Sequence, residues 1–341
     1  MEKVALGGYF GFGNLGDDAI LLSEISFLKE NGFEPIVLTN KGKSIFGVKG
    51  INRTSIKDML RIRNEFSTFI LGGGGLFQDK TSFRSLLYYL FLIDFMKRLR
   101  KKVVIFNVGV GPLIRKISRR LLFSTLKKVD LIIFRDRFSF DLFPELKNKF
   151  LGFDSAFRLN FKRREGKKKI LISLRYFREL NLEKFTKFIS ILKEKVPYDF
   201  EFVVFSEEEI KIAKTLNLPY FHMKDPISVL EKFSEAQFLI GARYHSILFS
   251  IMNEIPFLPI PYDLKVRVLS KEVGFEDFIE TNEAIDVWLD KFNRVFEERE
   301  ERRKIISERR KEFMERERKS FSLLLRFLSD GHIQDSSFSV Y

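Results

Sequence analysis

The chain has 341 residues, 45% of them hydrophobic, which suffices for two domains with separate cores. Its formal net charge of +14 attracts anions in general, but the many interspersed acids make much of that charge a mixed, solvated surface and do not single out nucleic acid. With no cysteine and only three histidines, the sequence excludes disulfides, thiolate metal sites and a cysteine nucleophile, and gives no support for a structural zinc site.

The N-terminus, MEKVALGGYFG, runs directly into a strand pattern and lacks the basic-then-apolar layout of a signal peptide. The longest apolar run, residues 86–93, is far shorter than the roughly twenty residues of a membrane span. A soluble, cytoplasmic protein is expected, with any membrane contact peripheral. Short β-branched or aromatic runs at 3–8, 35–39, 68–71, 103–108 and 131–134 alternate with amphipathic stretches at 19–30, 82–99 and 118–128. That alternation predicts βα units on a parallel sheet over residues 1–158. The basic stretch 159–169, LNFKRREGKKK, reads as a linker. The pattern restarts over 170–285, with strands at 170–174, 200–205, 220–222, 238–240 and 257–259, and helices at 182–195, 207–216, 227–234 and 245–253. The fold class is therefore α/β, two Rossmann-like domains facing a cleft, whose ligands gather at the carboxyl ends of strands. The Glu- and Arg-rich stretch 286–329 predicts a long charged helix with i,i+4 ion pairs, packed back on the domains or joining an oligomer. The forty phenylalanines read chiefly as core, among them Phe200, Phe202 and Phe205.

Four segments carry chemistry. In GYFGFGNLGDD, between a strand and a helix, Gly11, Gly13 and Gly16 match the G-x-G-x-x-G spacing of dinucleotide sites. The acids Asp17 and Asp18 at the helix start, and a second strand ending in Leu38-Thr39-Asn40 without an acid, argue against a dinucleotide. Asp17 is left as either a helix cap or a catalytic base, and Gly11, Gly13 and Asn14 are candidates for lining a ligand. Gly72-Gly73-Gly74-Gly75 after the third strand predicts a backbone shaped around a substrate. There Gly74, Gly75, Gln78 and Asp79 are candidates for binding sugar hydroxyls. Arg135, Arg175 and Arg243 each follow a strand, where a guanidinium can hold a carboxylate or phosphate; an Arg135–Asp136 ion pair is the alternative for the first. In GARYHS, His245 beside Arg243 is a candidate proton donor, and Lys265 in PYDLKV a candidate phosphate partner. His222 and His332 read as structural.

Together the stretches GYFGFGNLGDDAIL, GGGGLFQDKTSFRSLLYYL, NVGVGPL, IIFRDRFS, FDSAF, ISLR, IGARYHSILFS and PYDLKV resemble the polysaccharide pyruvyl transferase family, particularly its cell-wall or S-layer-anchoring branch. The resemblance implies a GT-B-like fold and transfer of a pyruvyl group from phosphoenolpyruvate to two sugar hydroxyls, giving a cyclic ketal and phosphate. It implies a lipid-linked polysaccharide precursor as acceptor, no cofactor or metal, and donor-binding or catalytic roles for Arg135, Arg175, Arg243, His245 and Lys265. The family's GDEA stands here as Gly16-Asp17-Asp18-Ala19, and its RLH as Arg243-Tyr244-His245. These departures bear on acceptor preference more than on chemistry. The rival readings are a nucleotide-sugar glycosyltransferase on the same fold and, more remotely, a non-catalytic binder of anionic polymer or lipid.

Overall fold

The computed structural model describes residues 1–331. Its contacts divide the chain into two compact units, Met1–Arg158 with the residues from Phe313 onward, and Leu159–Glu312.

The first unit runs β1 (Lys3–Gly7), α1 (Leu15–Glu30), β2 (Glu34–Thr39), β3 (Gly50–Asn52), α2 (Ile56–Arg61), β4 (Thr68–Gly72), α3 (Phe83–Arg98), β5 (Lys102–Val108), α4 (Lys116–Leu126), β6 (Leu131–Phe134), α5 (Arg137–Asp141) and β7 (Lys149–Leu151). Its seven strands lie in the order β3-β2-β1-β4-β5-β6-β7, all pairs parallel. The strands are short and buried on both faces, so their residues are continuously apolar rather than alternating. The order reverses between β1 and β4. In open parallel sheets that crevice, at the carboxyl ends of the two strands, is where ligands bind. Both glycine segments leave the sheet there.

The second unit runs β8 (Lys169–Ser173), α6 (Leu182–Lys195), β9 (Asp199–Val203), α7 (Ile210–Thr215), β10 (Tyr220–Phe221), α8 (Pro226–Phe233), β11 (Phe238–Gly241), α9 (Tyr244–Asn253), β12 (Phe257–Pro259), α10 (Leu264–Val273) and α11 (Ile285–Glu297). Its five parallel strands lie in the order β10-β9-β8-β11-β12, with the reversal between β8 and β11. Phe200, Phe202 and Phe205 are buried as expected. Phe188 on α6 packs edge-on against Trp288 and Phe292 on α11, and the three build one aromatic end of this core.

The charged stretch read as one helix is two, α11 and then α12 (Arg299–Asp330). The part of α12 from Phe313 onward belongs to the first unit, where Phe313 stacks on Phe153 at 4.3 Å and Phe321 packs on Phe106 at 4.9 Å. This half therefore buries an apolar face and is not a purely solvated helix. His332, read as structural from sequence, lies outside the described residues. No helix among the described residues is long and apolar enough to cross a membrane.

Candidate active site

In the first unit, the turn after β1 needs Gly11 and Gly13 at φ of 77° and 70°, conformations that other residues adopt at a cost. Asn14 is the N-cap of α1, its side chain accepting from the Gly16 N–H and donating to the Asp17 carboxylate. Sequence left a cap role open for Asp17; the cap is Asn14. Asp17 is buried, and its Oδ1 lies 3.0 Å from where a Cβ on Gly74 would stand. The structure thus brings Asn14, Asp17 and Gly74 together at the β1/β4 reversal. Asp18, one residue on, has its carboxyl pushed up to about 6 by burial.

The glycine quartet has a packing cause as well. A Cβ on Gly72 would meet the Glu24 carboxylate at 2.1 Å, and one on Gly73 would meet Ile20 at the same distance. Helix α1 lies too close to this strand end for any larger residue. Gly75 is partly exposed. Beyond it, the Gln78 amide is committed to Thr81, donating to its hydroxyl and accepting from its N–H at 3.0 Å. Asp79, a candidate for sugar hydroxyls, has its carboxylate occupied within the fold. Its side chain is fully buried, accepting from the Ile114 N–H at 2.6 Å, the Arg115 N–H at 2.9 Å and the Ser118 hydroxyl at 2.6 Å. Burial opposes its charge, but these three donors prevail and hold the carboxyl below its usual range, so it serves to pin the entry to α4.

Arg135 is likewise enclosed. Its Nη1 donates to Asp154 at 3.2 Å, its Nε lies 3.6 Å from Asp136, and the side chain is 2% exposed. Both the anticipated Asp136 pair and a second, buried carboxylate compensate it, so Arg135 is a buried, ion-paired guanidinium of the first unit. Around it, Asn107 donates to Ser155 at 3.1 Å and to Ser320 of α12 at 3.2 Å, while Ser155 donates to Glu24 at 3.0 Å. Desolvation raises the buried Glu24 carboxyl well above its ordinary value.

Sequence gave no warning of Arg53. It is buried, donates to the Gly8 carbonyl at 2.9 Å, and lies 4.4 Å over the Tyr88 ring and 5.2 Å from Phe12. Among the described residues no carboxylate pairs with it. A buried guanidinium beside the glycine turn, stabilised by aromatic faces and a carbonyl, is a fixed positive charge at this strand edge.

In the second unit, Gly241 pairs with Ser173 of β8 and with Pro259 of β12. Arg175 and Arg243 therefore occupy equivalent positions, each two residues past a paired strand end, on either side of the reversal. Arg243 is the N-cap residue of α9 and places His245 in the first turn of that helix. Its guanidinium donates to the Glu209 carboxylate and, through Nη2, to the Ser206 hydroxyl at 2.8 Å. Desolvation raises Glu209 above its usual range, against the pull of Arg243. Arg175 donates to the Tyr262 hydroxyl at 3.1 Å and lies 5.2 Å over that ring. Lys265, in the first turn of α10, sits 3.7 Å from Asp263. His245 is buried, packed edge-on to Tyr244 at 5.2 Å.

Two buried polar atoms at this edge, Arg175 Nε and Asp263 Oδ1, have no hydrogen-bond partner among the described residues. Unsatisfied buried groups are uncommon in folded proteins and are expected where a ligand completes the set. The structure thus gathers Arg175, Arg243, His245 and Lys265 on one sheet edge and places Arg135 in the other unit. Glu209 and Tyr262 were missed from sequence. The Ser206-x-x-Glu209 spacing of a capping box, here formed, was the readable signal for Glu209.

Comparison with known proteins identifies the fold and the family. The fold is shared with the S. aureus MnaA-UDP co-structure (TM-score 0.68, 13% identity, all of both chains covered). It is also shared with a putative UDP-N-acetylglucosamine 2-epimerase from Listeria monocytogenes (TM-score 0.65, 11% identity, all of both chains covered). A third such chain is the UDP-GlcNAc 2-epimerase from Neisseria meningitidis (TM-score 0.62, 12% identity, covering 97% of this chain and 100% of that one). At these identities the likeness establishes the GT-B-like fold and nothing of the chemistry. No curated protein sequence matches. The family model for polysaccharide pyruvyl transferase matches residues 14–263, from the cap of α1 to the N-cap of α10. The chain belongs to the polysaccharide pyruvyl transferase family.

Proposed function

We propose that the protein transfers the pyruvyl group of phosphoenolpyruvate to two hydroxyls of a sugar in a cell-surface polysaccharide precursor, forming a cyclic ketal and releasing phosphate. The observation that carries this reading is the placement of Arg175, Arg243, His245 and Lys265 just past the carboxyl ends of β8, β11 and β12. Phosphoenolpyruvate is small and bears a carboxylate and a phosphate, so several fixed cations suit it without a metal.

In this reading Arg175 and Lys265 hold the donor's two charged groups, and Arg243, itself fixed by Glu209 and Ser206, completes the positive edge. His245 protonates the methylene carbon, turning it into a methyl group and leaving an oxocarbenium-like centre at the adjacent carbon. One acceptor hydroxyl attacks that carbon and gives up its proton. The second hydroxyl then displaces phosphate, which leaves with that hydroxyl's proton, and closes the ketal. The first unit carries the residues assigned to the acceptor: Asp17 as a candidate base for a sugar hydroxyl, and Gly11, Gly13, Asn14, Gly74 and Gly75 as backbone for its approach. Gln78 keeps a place on the acceptor side through its exposed edge; Asp79 and Arg135 are assigned structural roles. The acceptor is a lipid-linked precursor, reached at the inner face of the membrane.

The test is which leaving group appears. Incubation with phosphoenolpyruvate and acceptor is expected to release inorganic phosphate. Release of a nucleoside diphosphate from a nucleotide sugar instead would assign the chain to glycosyl transfer.

A further inference from the structure

Residues 80–128 contain thirteen lysines and arginines and a single acid, Asp94, so this stretch carries twelve of the net fourteen positive charges of the chain. It folds as α3, β5 and α4. Successive crossovers along β4, β5 and β6 run in one direction, which puts α3 and α4 side by side on the same face of the sheet, where they pack together. Their outer surface is not simply polar. Leu87 and Phe91 on α3 are 39% and 46% exposed; Ile114 and Ile117, at the start of α4, are 66% and 49% exposed.

On α3, Arg84, Leu87 and Phe91 follow at i, i+3 and i+7 and share a face. On α4, Lys116, Ile117 and Arg120 fall within one turn. Arg84, Lys116 and Arg120 are exposed, and among the described residues none of them pairs with a carboxylate. Asp94, the one acid of the stretch, is taken by Lys128 at 2.7 Å. Exposed aliphatic side chains surrounded by unpaired cations suit the boundary between lipid headgroups and acyl chains. There the cations meet anionic headgroups and the apolar side chains leave water. Nucleic acid would use the cations and could stack a base on Phe91, but would gain little from the three aliphatic side chains Leu87, Ile114 and Ile117.

We propose that the exposed face of α3 and α4 docks the protein on an anionic membrane surface. Helices α3 and α4 are the crossovers that follow β4 and β5, and the patch lies on their N-terminal turns and the loop before α4, the ends nearest the carboxyl edge of the sheet from which both glycine segments emerge. Docking there brings the first unit's acceptor loops to the level of the headgroups. That purpose rests on the reading of a lipid-linked acceptor. The binding itself does not, so failure of one is separable from failure of the other.

Vesicle sedimentation tests it. The full chain is expected to pellet with phosphatidylcholine vesicles containing roughly a third phosphatidylglycerol, to stay free with phosphatidylcholine alone, and to be released by about 0.5 M salt. The charge variant Arg84→Glu, Lys116→Glu, Arg120→Glu is expected to lower partitioning at least about tenfold. The apolar variant Ile114→Ser, Ile117→Ser is expected to lower it about fivefold at unchanged net charge. All substituted positions are exposed, so thermal melts are expected to match the parent. Absence of binding to the anionic vesicles at low salt, or equal binding by both variants, would overturn the proposal. So would a dimer that the isoleucine variant dissociates, or retention on a single-stranded RNA that matches vesicle binding and is insensitive to the isoleucines.

Discussion

One oxygen of the Glu209 carboxylate accepts the Nε–H of Arg243, and the other accepts the backbone N–H groups of Phe205 at 2.8 Å and Ser206 at 3.3 Å. The end of β9 and the end of β11 are thereby tied through one buried charge pair. Removing the carboxylate leaves a buried guanidinium without its counter-charge and two amides without acceptors. Glu209→Ala is expected to destabilise the fold by about 3–5 kcal/mol in a denaturant titration. Glu209→Gln, which keeps an acceptor, is expected to fold better and to show its defect mainly as a raised KM for phosphoenolpyruvate, because Arg243 loses its orientation.

His245 is assigned the proton transfer to carbon. Loss of a positioned general acid costs typically 10²–10⁴ in rate. His245→Ala is expected to lower phosphate release from phosphoenolpyruvate by about that factor while thermal unfolding changes little. Near-normal turnover in the variant would remove His245 from the mechanism.

Asp18 makes a pH prediction. Burial raises its carboxyl from 3.8 to about 6 in the folded protein. Between those values the folded chain holds a proton that the unfolded chain has lost, so this group reduces stability as pH rises through the window. Asp18→Asn removes the effect. The variant is expected to be more stable than the parent by up to about 3 kcal/mol at neutral pH, with the difference vanishing below about pH 4. Melting both proteins at the two pH values checks the sign.

Two glycines separate packing from ligand approach. At Gly73, φ is 49° and a Cβ would stand 2.1 Å from Ile20, so Gly73→Ala is expected to cost about 3 kcal/mol or more of stability. At Gly13, φ is 70° but nothing lies within 4 Å of the added Cβ. Gly13→Ala is expected to cost only about 1 kcal/mol, while raising the KM for the acceptor and leaving that for phosphoenolpyruvate unchanged. Steady-state kinetics with each substrate varied in turn distinguishes the two effects.

Much of this architecture was legible from the sequence because it rests on local signals. Runs such as Leu131–Phe134 are continuously apolar as doubly covered strands must be, and glycine or arginine immediately after a strand marks its carboxyl end. The three-residue strands Gly50–Asn52 and Lys149–Leu151 escaped notice, since three residues at a sheet edge carry no periodicity. The break between α11 and α12 was hidden because Glu298 and its neighbours are all good helix formers. Site residues divided on the same principle. Arg175, Arg243 and His245 were marked by their place after strands, whereas the carboxylate that holds Arg243 lies 34 residues away in sequence. Asp79 and Arg135 look like ligands in the sequence and are committed in the fold, a difference decided by partners that only tertiary packing supplies: Ile114, Arg115 and Ser118 for one, Asp154 for the other.

The central claim is the identity of the transferred group. The protein, incubated with phosphoenolpyruvate and a panel of aryl and lipid-linked glycosides, is expected to add the mass of one pyruvyl ketal to at least one glycoside. One equivalent of phosphate should appear per ketal, with both products lost in His245→Ala and reduced in Arg175→Ala. Phosphoenolpyruvate left intact across the panel, with a glycosyl unit added from a nucleotide sugar, would contradict the account.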